Sequence, residues 1–330
     1  MYKQTFSVAI MSDHDASDVS AAPQEPPSLS LAQTMLFSRL LSVLKRDIVL
    51  VQPGNVPTGA EQAPLVLPPS IIEFIADAIG VSSSAVPRFW ARLKDDIWDL
   101  PEQTLSKQEE GLFREHGWKR GITSLVLYPP SHYCTNSNCG RHKHLTNASM
   151  RQIVVYTAGR GVTPAWEVQL YCRDCNTTYY PNFSVHRGMR TYYAGIPQYI
   201  QIGGHQYAER KLAGSWISLM LVAHVSATNC LRVYDMALSG QEELDFSTGG
   251  WQFGSLLTTD HVWDAFVILT LLDYHERRAT CLQVPHTGDQ KDRFTAAMAA
   301  RNVEVILGGQ DVVDHCCDKC HLLVPTTRSN

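Results

Sequence analysis

The first 133 residues contain no cysteine, and the nine that follow are bunched rather than scattered. That distribution excludes a disulfide framework knitting the whole chain and suits metal ligation in a reducing compartment. Long apolar runs are missing too. The longest, Trp216 to Leu231, is interrupted by Ser218, His224, Ser226, Thr228 and Asn229, and falls short of the roughly 20 residues a membrane span needs. No secretory leader is legible, since Lys3 precedes only a brief apolar run before Asp13, Asp15 and Asp18. There is no glycine-rich loop with a phosphate-cradling lysine, and no Cys/His or Ser/His pairing is suggested by position. A two-metal nuclease needs acids grouped on strands, but Asp260, Asp264 and Asp273 share one predicted helix. The expectation is a soluble, intracellular, non-catalytic protein acting in the nucleus or otherwise in the cytoplasm.

What is present centres on Val168 to Phe183. Two short strands are joined there at a tight turn, Cys172-Arg-Asp-Cys175, the first rich in β-formers and the second in aromatics. Cysteines two residues apart at a hairpin tip direct two thiolates to one side of a metal tetrahedron. Cys134 and Cys139 lie upstream to supply the other side. Two such knuckles on a small sheet make a zinc ribbon. His132, His142 and His144 flank the looser first pair, and any of them could replace a sulfur. A zinc held by four thiolates has no open position for water and is structural.

Charge is divided along the chain. From His116 to Arg232, 12 Lys and Arg face only Glu167, Asp174 and Glu209, whereas the remainder carries 16 bases and 29 acids. The asymmetry points the cysteine-bearing segment at a polyanion. Beyond the second knuckle, His186, Arg187 and Arg190 interleave with Tyr179, Tyr180, Phe183, Tyr192 and Tyr193. Cations meet phosphate and rings stack on bases, although such rings also build small cores. The expected DNA contacts are Arg173, Arg187, Arg190, Arg210 and Lys211.

In chain order, residues 1–28 read as a disordered tail and 29–118 as a helical region. Residues 119–205 read as the zinc-ribbon domain, 206–312 as a second helical region, and 313–330 as a terminal partial knuckle. The fold class expected is α+β, a small ribbon sheet embedded in a mainly helical scaffold. Helices over 70–79 and 84–100, joined at Gly80, have the look of a helix-turn-helix. Pro87 inside the second, and Asp95, Asp96 and Asp99 at its end, speak against groove binding. A long helix is predicted from Tyr207 to Tyr234, with His224 and Cys230 in or beside its buried face, and another from Thr258 to Arg278. The phrase His315-Cys-Cys-Asp-Lys-Cys320-His321 places Cys317 and Cys320 at knuckle spacing. The other half of that site would come from Cys281 and His286, or from sequence beyond Asn330.

The phrases LYPPSHYCTNSNC, GVTPAWEVQLYCRDCNTTYYPNFSV, LTTDHVWDAFVILTLLD and HCCDKC, with the long run from Arg190 to Ser239, resemble a known family. It is the fifth type of cysteine-cluster domain associated with KDZ transposases of mushroom-forming fungi. The resemblance implies a zinc-chelating module carried beside a transposase, with Cys134, Cys139, Cys172 and Cys175 as ligands and nothing catalytic. The reading is therefore a zinc-bearing, DNA-binding accessory module. A protein-interaction module docking a KDZ transposase through its tyrosine-rich face is the rival. A RING-like site is disfavoured because interleaved ligand spacing is not present.

Overall fold

The computed structural model describes residues 29–50, 62–101, 103–139, 143–239 and 250–309. The expected tail, His142 and the terminal knuckle with Cys317 and Cys320 lie outside the described residues.

The chain opens with a helical unit. Helices α1 (Leu31–Val43) and α2 (Lys45–Leu50) precede α3 (Pro69–Ile79), α4 (Val86–Asp99) and α5 (Lys107–Leu112), which runs on into wider and then tighter turns to Arg120. Phe37, Leu40, Phe74, Ile75, Trp90 and Phe113 are among the buried residues of their shared core. Ser106 caps α5, with Glu109 closing a reciprocal capping box. Glu109 is also clamped by the Arg39 guanidinium of α1, one arm donating at 2.8 Å. That bond, with Ser106 and against the cost of burial, lowers the Glu109 carboxyl to about 2. Pro87 falls in the first turn of α4 rather than its interior, where it removes no helical hydrogen bond. Asp95, Asp96 and Asp99 are exposed on that helix.

The remainder overturns the expectation of a small ribbon in a mainly helical scaffold. One mixed sheet of nine strands organises it: β1 (Val126–Leu127), β2 (Thr146–Thr157), β3 (Gly161–Cys172), β4 (Thr177–Tyr179), β5 (Phe183–His186), β6 (Met189–Tyr192), β7 (Tyr199–Gln201), β8 (Gln206–Glu209) and β9 (Gln283–Pro285). Eight follow one another in the order β7-β8-β2-β3-β4-β5-β6-β9, and β1 lies parallel beside β3. The spine is the β2–β3 hairpin, paired from Thr146↔Tyr171 to Thr157↔Gly161. At its turn the Thr157 hydroxyl donates to Gly161 O and accepts from Arg160 N. Gly161 adopts φ 71°, and a side chain there would meet the Ser239 carbonyl at 2.5 Å, so only glycine fits. The chain returns from β6 to add the β7–β8 hairpin on the far edge of β2. Buried Asn182, in the β4–β5 turn, donates to Tyr199 O at 2.8 Å and accepts from Gln201 N at 2.7 Å. The sheet thus curls until its middle touches its own edge strand.

Helices cover one face of the sheet: α6 (Arg210–Val222), α7 (Ala227–Ala237), α8 (Thr259–Arg277), α9 (Gln290–Arg293) and α10 (Thr295–Gly308). Val154, Tyr156, Val162, Phe183, Tyr192 and Ile200 pack there with Trp216, Tyr234 and Leu272. The alternate residues Ile153, Val155, Ala165 and Tyr207 form a second cluster on the opposite face, as the two-residue period requires. The single helix expected over 207–234 is a strand and two helices. The chain breaks at exposed His224, with φ 53°, and Ser226 caps α7 by accepting from Asn229 N. Cys230 is buried, its thiol 3.9 Å from Trp216 O. The α8 helix matches its expected span, and Thr258 caps it by accepting from His261 N. No helix among the described residues is long and apolar enough to cross a membrane.

Candidate metal centre

Even-numbered residues of β3 lead from the helix-packed core to a small separate cluster. Val168, Leu170 and Cys172 join Cys134, Leu145 and Tyr179 there. The first knuckle is shaped by two backbone bonds, Cys134 N to Lys143 O (3.0 Å) and Leu145 N to His132 O (2.8 Å). A short 3-10 turn, Ser137–Cys139, then swings Cys139 inward. The second knuckle is the β3–β4 turn, with Asn176 at φ 55°, a conformation Asn tolerates. A Lys143–Asp174 ion pair at 3.0 Å links the two.

These knuckles bring four sulfurs together. The Sγ atoms of Cys134, Cys139, Cys172 and Cys175 all lie within 4.8 Å of one another. Cys134 and Cys175 are 3.7 Å apart, and Cys139 and Cys172 3.8 Å. Those separations are far beyond a disulfide bond of about 2.05 Å. They match the edge of a tetrahedron with metal–sulfur bonds of about 2.3 Å, which is roughly 3.8 Å.

The surroundings suit thiolates. The Tyr179 hydroxyl accepts from Thr135 N at 3.1 Å and Asn136 N at 3.2 Å. Both lone pairs are then occupied, so its proton is directed at Cys134 Sγ, 3.2 Å away. Donation to sulfur requires the sulfur to accept, as a metal-bound thiolate does. Burial, and then Cys134, push the Tyr179 phenol up to about 12. Thr177 Oγ1 accepts from Asn136 Nδ2 at 3.0 Å and lies 3.1 Å from both Cys175 Sγ and His186 Nδ1. Burial raises Cys175, but Thr177 and the neighbouring sulfurs outweigh it and bring the thiol down to about 7. Replacing Tyr179 by Phe should leave the fold intact and weaken metal affinity by about 10- to 100-fold, measured by competition with a chromogenic chelator.

Among the described residues these four cysteines are the metal-competent group. His132 is half-buried and His144 exposed, packed on Tyr133 at 4.3 Å; neither joins the sulfurs. Cys281 is exposed, and His286 Nδ1 accepts from Arg190 Nε at 3.1 Å.

The five expected cation positions are not gathered. Arg173 is exposed at the second knuckle, and exposed Arg187 occupies the β5–β6 turn at φ 49°. A cleft lined by Asn136, Asp174, Cys175, Asn176, His186 and Arg187 places Arg187 beside the cluster. Arg190 is 8% exposed, its guanidinium 4.4 Å from the Phe183 ring, and so belongs to the interior. Arg210 and Lys211 open α6, exposed, next to the strand that pairs with Val154–Tyr156. That is the other end of β2, roughly 30 Å from the knuckles at about 3.4 Å per residue. Phe183 and Tyr192 are buried and unavailable for stacking. Tyr179, Thr177 and Asn136 are supports for the sulfurs that the sequence reading misses. For Thr177 and Tyr179 the signal is alternation, which puts both on one face of β4, two and four residues on from Cys175.

Residues 122–238 match the family model of the CxC5 like cysteine cluster associated with KDZ transposases. The match covers 117 of the 330 residues, and over that segment the chain is similar to this family. All four sulfur-bearing positions of the centre fall inside the CxC5-like segment, as do β1 to β8 and the helices α6 and α7. Comparison with curated proteins and with solved structures gave no match.

Proposed function

We propose that the CxC5-like segment holds one structural zinc and presents a DNA-binding face beside it, serving as a non-catalytic accessory to a KDZ-type transposase in the nucleus. The observation that carries the reading is the gathering of four sulfurs within 4.8 Å of one another, with the Tyr179 hydroxyl 3.2 Å from Cys134 Sγ. Four cysteine sulfurs select a soft, tetrahedral ion, and zinc so ligated is closed to substrate.

Arg173 and Arg187 at that end are exposed and sit on turns, where phosphates can reach them, and exposed Lys143 beside them is paired with Asp174. With Phe183 and Tyr192 buried, the face offers charge rather than stacking, so the binding it supports is to the DNA backbone and independent of sequence. In an electrophoretic mobility shift, Arg173→Ala with Arg187→Ala should weaken binding and lower the slope of log affinity against log salt by about two, with zinc content unchanged. Affinity indifferent to salt would instead support a protein-docking role.

A further inference from the structure

Helix α8 is apolar around most of its circumference, with Val262, Ala265, Ile268, Leu269, Leu271 and Leu272 buried, so it needs cover on several sides. The sheet, α6, α7 and α10 supply cover on most of them. Between α6 and α10 a groove of about 730 Å³ remains over α8. Each helix lines it with a helical stripe: Gly214, Ile217 and Leu221 from α6, and Met298, Arg301 and Val305 from α10. The floor is Phe266, Leu269, Thr270 and Asp273, continuing to Arg277. Spacings of three, four and seven residues on three walls are complementary to another helix. The floor from Phe266 to Arg277 runs roughly 17 Å, or three turns. Leu221, at the groove mouth, is 62% exposed.

The charge of the groove selects the occupant. Asp273 is paired with Arg277 at 2.8 Å, and Glu304 with Arg278 at 3.6 Å. Arg210 and Arg301 have no carboxylate partner among the described residues, and Arg301 Nε is buried without an acceptor. We propose that this groove receives an amphipathic helix of a protein partner, bearing an apolar stripe flanked by acidic residues. Arg210 then serves the groove rather than a DNA face. The groove stands apart from the metal centre and from the face beside it.

The test uses the full-length zinc-loaded chain and a fluorescein-labelled 16-residue synthetic helix with a leucine stripe and glutamate flanks. Its control has lysine flanks. Fluorescence anisotropy should show the acidic peptide binding at least about tenfold more tightly than the basic one. Leu221→Glu or Arg301→Glu should each weaken it about tenfold or more, while Ile306→Glu, at a highly exposed position of α10 not lining the groove, should have no effect. Binding of neither peptide, or of both equally, overturns the proposal. So does a dimer in light scattering that Leu221→Glu dissociates, which assigns the groove to a second copy. Binding gained only on removal of residues 310–330 would assign it to the chain's own tail and overturn the proposal as well.

Discussion

Cys172→Ser is expected to release the metal and melt one end of the sheet while the other end stays folded. A serine hydroxyl is a poor ligand for a soft ion, and three sulfurs leave the tetrahedron open. Metal binding in small zinc domains contributes on the order of 10 kcal/mol to folding, and the cluster around the cysteines has little else. Its buried members are six residues, two of them cysteines of the candidate metal centre. The hairpin turn of β2–β3 is held differently. Val154, Tyr156 and Val162 pack into the large helix-covered core, and the Tyr156 hydroxyl donates to Leu256 O at 2.7 Å. Hydrogen exchange should therefore lose protection over 132–139, 143–146 and 170–179 and keep it over 153–157, 161–166 and α8. Metal analysis of the same sample should read near zero. Uniform loss of protection across the sheet would show that the metal holds the entire fold, and unchanged protection at the knuckles that it holds nothing.

The knuckles are legible in the sequence because their signal is local: Cys172 and Cys175 define the turn in four residues. The extent of the sheet is not. Strand β8 is Gln206–Glu209, and β9 is Gln283–Pro285. Neither has a run of β-branched residues, and each is a strand only because a distant partner, β2 or β6, offers an edge. Tertiary pairing outweighs propensity at such lengths. The apolar residues of α6 and α7 share a period across the break at His224, so the pattern alone joins them. Arg190 is a different case. Its interior position is readable, since Tyr192 is two residues on in the same strand and an inward Tyr192 carries Arg190 inward with it. Counting charge without phase hides that.

Glu167→Ala should be among the most destabilising single substitutions outside the metal centre, at about 3–5 kcal/mol. Glu167 is fully buried in mid-β3, directly across the ladder from Arg151. Its Oε2 accepts from Arg151 Nη2 and from the Tyr207 hydroxyl, each at 2.7 Å, and its Oε1 accepts from Gln169 Nε2 at 3.2 Å. Tyr207 is itself fully buried, and burial, followed by the Glu167 charge, raises its phenol well above the ordinary range. Truncation to alanine strands the buried Tyr207 phenol with no acceptor and removes the carboxylate from Arg151, whose side chain is 37% exposed, so the desolvated phenol and the space left in the sheet dominate the loss. The measurement is the shift in urea midpoint at constant m-value. Converting all three partners together (Arg151→Met, Glu167→Leu, Tyr207→Phe) should recover most of the loss, because the cost lies in what is left unpaired rather than in the bonds removed. A loss of less than about 1 kcal/mol for Glu167→Ala, a typical surface value, would mean that this triad is not what joins β2, β3 and β8 across the second face of the sheet.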